Sequence, residues 1–261
     1  MGNVKFFCKI ILLILIYIQS VTVSTKIITF FTAPYADIFK NFYRNLKKYS
    51  VEKNLHVFIT EGYNLEFLKN ENISFSVISN ENLLTEKSET YGTYNWNKIN
   101  LVKGTIFNEL LYKYDDFIYS DPDVIWFGSI YQKLKKECKK DLCVQSDSIK
   151  DDTELGSLNA GFFYVKSTIF TRSLFSEWRL RCLNNDGIKD DDQTILNKIV
   201  KEKNLKENIQ RLDRSIFANG KYNGYFDKCI KNSRLLTLHN NWVRGKDTKV
   251  SRAKKCGYWF E

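Results

Sequence analysis

The sequence predicts an α/β fold: a single domain with a mostly parallel sheet flanked by helices. Segments rich in β-branched and aromatic residues alternate along the chain with segments whose apolar residues recur every three to four positions, which is typical of β–α–β units. The 261 residues are 43% hydrophobic and 27% charged, which excludes a long disordered chain. Twelve glycines and two prolines leave little room for linkers between domains.

The strands and helices can be assigned in order from these patterns. Residues 26–32 predict the first strand, and Pro34 separates it from a helix whose apolar residues run from Ile38 to Tyr49. Further strands are predicted at 55–60, 73–78, 117–120, 142–146, 161–165 and 235–238, and further helices at 97–114, 167–183 and 192–203. Ligands of parallel sheets bind beyond the carboxyl ends of the strands, so residues that directly follow a strand are the first candidates for a site.

The first 24 residues have the layout of a secretory signal. Lys5 and Lys9 precede an apolar run from Ile10 to Ile18, and small and polar residues follow at 19–25. The apolar run is shorter than the ~20 residues of a membrane span. We expect residues 1–24 to be either a cleaved signal peptide or a type II signal anchor that attaches the protein to a membrane. Residues 25–261 would then form a domain in the ER or Golgi lumen, or a secreted one.

Charge and cysteine content restrict the partners and the compartment. The net charge is +10, but the basic residues are scattered and no basic helix or arm is evident, so we expect no nucleic-acid partner. Cys8 lies in the signal segment, and the five remaining cysteines allow one or two disulfides in an oxidising lumen with a thiol left over. The sequence contains no CxxC pair, so it does not suggest a zinc site. Asn72 begins the one glycosylation sequon of the chain.

The triplet Asp121-Pro122-Asp123 follows a predicted strand and is the first candidate for chemistry. In extended backbone, residues two apart project to the same side, and Pro122 disfavours helical backbone at Asp121, so both carboxylates can face one point. Converging carboxylates suit Mg²⁺ or Mn²⁺, which can also hold a diphosphate. A solvated turn is the alternative, but the apolar segments on both sides disfavour it.

His239 follows the predicted strand 235–238, and Gly245 and Lys249 come shortly after it. A histidine at a strand end can complete a metal site, and a nearby glycine and lysine can approach a phosphate. A packing or surface role for a lone histidine is the more common alternative. The second histidine, His56, lies inside a strand, and we interpret it as structural.

Two polar pairs lie next to predicted elements. Asn159 and Gly161 precede a buried strand, where the amide could bind a polyhydroxylated ligand, although a plain β-turn is the alternative. Asp192 and Gln193 begin a predicted helix and are candidates for the site; the alternative is that the aspartate is simply the N-cap of that helix.

Taken in order, these motifs resemble the nucleotide-diphospho-sugar transferase family, which includes plant cell-wall xylosyltransferases and related retaining α-glycosyltransferases of the GT-A fold. The resemblance covers nearly the whole chain, from about Lys26 to Trp259. It depends on the strand 27–31, Lys103, residues 119–126 around the acidic triplet, residues 158–165, Asp192-Gln193 with Asn197, and residues 239–249.

The resemblance implies a Rossmann-like GT-A domain that transfers a sugar from a nucleotide-diphosphate sugar, with UDP as the expected nucleotide, to a glycan or glycoprotein acceptor with retention. It implies Mn²⁺ or Mg²⁺ as the cofactor, held by Asp121, Asp123 and His239. Lys249 would neutralise the departing phosphate, and Asp192 and Gln193 would act beside the sugar and acceptor. The positions implied to bind the donor are Thr32, Tyr35, Lys103, Asn159, Gly161, Gly245 and Lys249.

Three residues depart from the family pattern: Pro122 inside the acidic triplet, Glu61 at the end of the second strand, and Thr194 where related families have a third acidic residue. Thr194 leaves open a glycan-binding protein of the same fold with impaired catalysis. A nucleotidyltransferase is a second alternative, but residues 32–36 lack the Gly-rich phosphate loop that it would need. The sequence shows no second pair of catalytic carboxylates, which disfavours a glycosidase.

Overall fold

The computed structural model describes residues 25–79, 88–89, 91–148, 156–185 and 188–260. The strands in this part of the chain are β1 (Lys26–Phe31), β2 (Leu55–Thr60), β3 (Ser74–Ile78), β4 (Asp116–Ser120), β5 (Val124–Trp126), β6 (Leu142–Ser146), β7 (Leu158–Lys166), β8 (Ile209–Arg211), β9 (Phe217–Ala218) and β10 (Thr237–His239). The helices are α1 (Ala36–Lys48), α2 (Glu66–Asn70), α3 (Tyr94–Lys113), α4 (Tyr131–Glu137), α5 (Ile169–Leu183), α6 (Asp192–Glu202) and α7 (Lys246–Lys255).

Two sheets organise these strands. The central sheet has seven strands in the order β3-β2-β1-β4-β7-β6-β8, and β7 runs antiparallel to both neighbours while the other pairs are parallel. A smaller sheet has the order β5-β10-β9. Because only three residues separate the end of β4 from the start of β5, the chain passes from the central sheet into the small sheet directly at the acidic triplet.

Apolar side chains of the central sheet point alternately into two hydrophobic layers. In β4, Phe117 and Tyr119 pack with α3, α5 and α6 on one face, whereas Ile118 packs with α1, α2 and α4 on the other. Large side chains such as Phe107 and Phe39 are fully buried in these layers, and each contributes ~1.5–3 kcal/mol relative to an exposed position. A third, smaller cluster lies around the small sheet and α7.

The predicted fold class is confirmed: one α/β domain with a mostly parallel sheet flanked by helices. The short elements were not predicted, namely β5, β8, β9, α2, α4 and α7. Asn159 and Gly161 were expected in a turn before a strand, but β7 already begins at Leu158, so both lie within the strand. The pairing register of β6 with β7 shifts between Val144 and Gln145. The start of β7 therefore pairs irregularly with β6.

The cysteines agree with the sequence prediction. Disulfides link Cys138 to Cys143 and Cys229 to Cys256, and Cys182 is a buried free thiol. The segment 1–24, interpreted as a signal or anchor, lies outside the described residues. Within the part of the chain that is described, no helix combines the length and the apolar character needed to cross a membrane.

Candidate active site

A cavity of about 330 Å³ opens at the carboxyl ends of β4, β6 and β10, and a smaller space of about 110 Å³ adjoins it at the carboxyl end of β1. All twelve candidate site residues from the sequence line one or both of these spaces. The larger cavity is lined by Tyr35, Lys103, Asp121, Asn159, Gly161, Asp192, Gln193, His239, Gly245 and Lys249. The smaller one adds Thr32 and Asp123.

The acidic triplet lies in a β-turn, so the prediction of extended backbone at this position is wrong. The Val124 amide donates to the Asp121 carbonyl at 3.1 Å, which places Pro122 at the second position of the turn, where its fixed φ is favourable. The turn is not solvated, because Asp123 is only 6% exposed. The Asp121 carboxylate accepts a hydrogen bond of 2.5 Å from the Tyr119 hydroxyl. The turn and the buried residues around it therefore bring the two carboxylates together.

The small sheet brings His239 to these carboxylates. Strand β10 pairs antiparallel with β5 so that His239 lies opposite Val124, the residue that closes the turn. The His239 Nε2 atom is 3.2 Å from Asp123 Oδ1 and 3.9 Å from Asp121 Oδ2. One ligand atom from each of the three residues lies within 4.8 Å of the others.

Gln145 sets the tautomer of His239. The Gln145 Nε2 group donates to the carbonyls of Phe217 and Ala218 at 3.3 and 2.9 Å, so its Oε1 atom faces the imidazole. His239 Nδ1 lies 3.0 Å from that oxygen and must therefore be the donor. Nε2, the other ring nitrogen, then faces the aspartates, which is the arrangement that a metal-binding histidine requires. Gln145 was not predicted as a site residue, because a glutamine inside a predicted strand carries no signal of its own.

Gly161 gives the cluster its space. A Cβ atom at this position would lie 2.4 Å from His239 Cε1 and 2.5 Å from Asp121 Oδ2, distances that no side chain could tolerate without moving both residues. Two oxygen donors, one imidazole nitrogen and a neighbour lacking a side chain fit a divalent cation such as Mn²⁺ or Mg²⁺. The residues present thus fit the expected metal site, with Asp121, Asp123 and His239 as its ligands.

A buried lysine, Lys103, and a partly buried one, Lys249, balance the two aspartates. Lys249, in the first turn of α7, forms an ion pair of 2.7 Å with Asp123. Lys103, from the middle of α3, lies 3.0 Å from Asp121 and 3.8 Å from Asp192. Burial opposes charge on Asp123, yet Lys249 and His239 outweigh it and hold the pKa of that carboxyl well below its usual range. Burial likewise opposes the charge of Lys103, but Asp121 and Asp192 raise its pKa, so it stays protonated.

Asp192 is available to the cavity because a different residue caps α6. The N-cap is Asp191, whose carboxylate accepts from the Thr194 amide at 2.7 Å, so the alternative of Asp192 as the N-cap is wrong. Asp192 is 2% exposed, and its Oδ2 atom accepts no hydrogen bond from the described residues. Burial, partly offset by Lys103, raises the pKa of the Asp192 carboxyl to about 7.

Asp147 is a further site residue that the sequence analysis missed. It follows β6 directly and accepts hydrogen bonds from Asn159, Gln193, Asn241 and Trp242 at 2.8–3.2 Å. The other end of the Gln193 amide accepts from the Ala160 amide at 3.1 Å. The rule that located Asp121, a carboxylate directly after a predicted strand, also applies to Asp147 and could have found it.

The remaining residues predicted to bind the nucleotide-sugar donor lie on the side of the cavity near Asp123 and Lys249. Thr32 follows β1 and is buried, and a 3₁₀ turn at Ala33–Tyr35 places the Tyr35 ring in the wall shared by both spaces. Gly245 is the N-cap of α7 with φ of 80°, a conformation that favours glycine. Residues 246–249 belong to α7, so the loop after β10 ends at Gly245.

The fold and the site define a class of protein. The galactosyltransferase LgtC, solved with donor and acceptor sugar analogues, matches with a TM-score of 0.59 over 91% of this chain and 97% of that chain, at 12% identity. This likeness shows that the chain has the GT-A fold.

The sequence then shows the family. Residues 63–253 match the family described as nucleotide-diphospho-sugar transferase, and the chain belongs to that family. It is 26% identical to the UDP-galactose:fucoside alpha-3-galactosyltransferase of Dictyostelium discoideum, over 69% of this chain and 31% of that protein. It is 25% identical to the beta-arabinofuranosyltransferase RAY1 of Arabidopsis thaliana, over 65% of this chain and 35% of that protein. The chain thus spans about a third of the length of these relatives, and the predicted family resemblance is confirmed.

Proposed function

We propose that this chain is a metal-dependent glycosyltransferase domain that transfers a sugar from a UDP-sugar to a glycan or glycoprotein acceptor with retention of configuration. The observation that carries the proposal is the buried cluster of Asp121, Asp123 and His239 with Lys103 and Lys249 beside it. Residues from four elements (α3, the turn after β4, β10 and α7) converge there, next to a cavity lined by carboxylate, amide and aromatic side chains that a sugar can use.

The charges of the cluster suit a diphosphate. Two protonated lysines balance two ionised aspartates, so a divalent cation would leave the cluster with a net charge of about +2. A nucleotide diphosphate carries the opposite charge and can therefore bind between the cation and the lysines. When bound, the cation supplies electrostatic stabilisation of the departing diphosphate.

The lysines would act on the leaving group. Lys249 is held on the first turn of a helix within 2.7 Å of Asp123, so its Nζ atom would lie close to a diphosphate bound through a cation at that carboxylate. Negative charge on the leaving phosphate grows as the glycosidic bond breaks, and a cation fixed nearby stabilises that transition state. Lys103 holds Asp121 and Asp192 in place from the other side.

The donor sugar would occupy the larger space, near Asp147, Asn159 and Asp192. Asp147 and Asn159 face the cavity with groups that can bind sugar hydroxyls, while Gln193 holds both Asp147 and the backbone of β7. We expect Gln193 to position these groups and Asp192 to meet the sugar directly. The base and ribose would lie in the smaller space beside Thr32 and Tyr35.

The named relatives inform the donor and the linkage. The Dictyostelium relative is named for a UDP-galactose donor and an alpha linkage, which supports UDP as the nucleotide here. The Arabidopsis relative is named for a beta-arabinofuranosyl group, so both the sugar and the linkage differ between these two relatives. The proposal therefore extends to the nucleotide and leaves the sugar to be found by screening.

The test is hydrolysis of UDP- and GDP-sugars with Mn²⁺, with Mg²⁺ and with EDTA. We expect turnover of at least one UDP-sugar that EDTA abolishes. Asp121→Asn should lower the rate at least ~100-fold, because one ligand of the cation is lost while Lys103 keeps Asp192 as a partner. The matched control is Glu109→Gln on the exposed face of α3, which should retain the rate. Binding of UDP that is indifferent to both EDTA and Asp121→Asn would refute the metal dependence.

The proposal also includes the secretory pathway, with residues 1–24 as a signal peptide or type II anchor. Two disulfides support an oxidising compartment, and the sequon residue Asn72 is exposed between α2 and β3. Translation with microsomes should give a protease-protected product carrying a glycosidase-sensitive glycan, and Asn72→Gln should remove the glycan. A full-length chain that remains accessible to protease would contradict this localisation.

A further inference from the structure

Trp242 stands out at the mouth of the larger cavity. Its side chain is 42% exposed although tryptophan is usually well buried, and its backbone has φ of 61°, in the left-handed region that bulky residues avoid. Such backbone costs free energy and persists where the surrounding structure enforces it, which is often at a functional site.

The structure around Trp242 enforces this conformation. The indole Nε1–H donates to Asp147 Oδ1 at 3.2 Å, and the neighbouring Asn241 donates to the same oxygen at 3.1 Å. On the other side, Asn241 accepts from the Gly220 amide at 2.7 Å and from Arg252 at 3.2 Å. The segment of Asn241 and Trp242 is therefore held from two directions, with the polar edge of the indole bound to Asp147 inside the cavity and part of its apolar surface left to solvent.

A second exposed aromatic residue lines the same cavity. Tyr91 is 57% exposed and packs on Trp96 with ring centroids 4.7 Å apart. Neither Tyr91 nor Trp242 lines the smaller space beside Thr32, where the nucleotide base would bind, so base stacking does not explain them. Trp242 is bonded to Asp147 and Tyr91 lines the same cavity, so both rings belong to the larger space, where a saccharide would bind.

We infer that Trp242 and Tyr91 form an acceptor subsite that binds a pyranose ring through its apolar C–H face. A pyranose has an apolar face and a polar hydroxyl edge, so a fixed aromatic surface beside carboxylate and amide groups matches both. Because the indole is already held by Asp147, little conformational entropy is lost on binding. The inference rests on the proposed function for its direction of transfer, and it adds that the acceptor is a carbohydrate with a pyranose at the reacting end.

The test measures binding of methyl pyranosides of galactose, fucose, xylose and glucose by saturation-transfer-difference NMR, with and without UDP and Mn²⁺. At least one should bind the wild-type chain with a Kd in the millimolar range. Trp242→Gly should weaken that binding at least about fivefold, and Tyr91→Ala at least about threefold. Trp242→Gly is chosen because glycine accepts the backbone conformation at this position, so its Tm should not fall.

Two further variants make the result specific. Trp242→Phe keeps a ring without the indole N–H, so it should retain more binding than Trp242→Gly; equal loss in both would mean that the N–H contact matters rather than the ring face, and would overturn the inference. Tyr112→Ala removes an aromatic residue of 67% exposure on α3 that packs with Arg172, and it should leave binding unchanged.

The outcomes separate this inference from the proposed function. A wild-type chain that binds UDP, together with pyranoside binding that is absent or indifferent to Trp242→Gly, overturns the acceptor subsite alone. A larger loss of UDP affinity than of pyranoside affinity in Trp242→Gly would assign the ring to the nucleotide and also overturns it. Failure of the wild-type chain to bind UDP refutes the proposed function, whereas pyranoside binding that depends on Trp242 would still support a saccharide site.

Discussion

At Gly161 the absence of a single methyl group permits the whole ligand cluster. We predict that Gly161→Ala weakens Mn²⁺ binding at least about tenfold, because the added Cβ must push away both His239 and Asp121. Electron paramagnetic resonance of free Mn²⁺ in the presence of UDP measures this. Gly128→Ala is the matched control, since a Cβ there meets no atom within 4 Å. Equal Mn²⁺ affinity in the two variants would contradict the role assigned to Gly161.

Asp192 gives a residue-scale prediction about pH. Its pKa rises from 3.8 in the unfolded chain to about 7 in the folded one, so the folded state binds the proton more tightly. The stability contributed by this proton is present below about pH 4 and is lost as the pH rises to about 7. We predict that Asp192→Asn, which does not titrate, gains stability relative to the wild type across this interval. Urea unfolding from pH 4 to pH 8 measures it, and a constant difference would disprove the prediction.

At the scale of elements, the two disulfides should differ in their effect on stability. Cys229 and Cys256 enclose 27 positions and tie the end of α7 to the loop before β10, whereas Cys138 and Cys143 are five positions apart. Loop-closure entropy predicts a loss of about 3.5 kcal/mol for the first pair and about 2 kcal/mol for the second. Chemical denaturation of the two double Cys→Ala variants compares them directly. A larger loss for the short loop would show that the entropy of the unfolded chain does not dominate.

The sequence predicted the long elements and missed the short ones for a physical reason. Strands such as β1 and helices such as α3 carry enough periodic apolar residues to be recognised. Strands β5 and β9 contain three and two residues, and they exist because they pair with β10. Helix α7 has Ala253 as its buried residue, so an apolar stripe is missing from its sequence.

Two sequence signals, the residue type and a position directly after a strand, predicted Asp121 and His239 as site residues. They did not predict the contacts between these residues. The turn at Asp121 and the tautomer of His239 depend on Gln145 and on the pairing of β5 with β10, which are tertiary features. Asp191 and Asp192 have the same residue type and both line the cavity, and only the helix boundary determines which one caps α6.

At the scale of the whole molecule, ligand binding should stabilise the domain as a unit. The cavity joins both sheets and three helices, so UDP with Mn²⁺ at about 100 times Kd should add about 2.7 kcal/mol to the free energy of unfolding. For a domain of this size that corresponds to a Tm increase of about 5–10 °C. Differential scanning calorimetry tests this, with EDTA as the control; an equal increase with EDTA present would contradict a metal-bridged site.

The distance in sequence between the site residues also has a consequence for synthesis. Lys249 lies 126 positions after its partner Asp123, and His239 is made only shortly before Lys249. At about 5–20 residues per second, roughly ten seconds separate translation of the acidic turn from translation of the residues that balance it. During that interval a nascent chain carries two neighbouring carboxylates without their histidine and lysine. Capacity to bind the donor therefore arises late in translation, after most of the central sheet has left the ribosome.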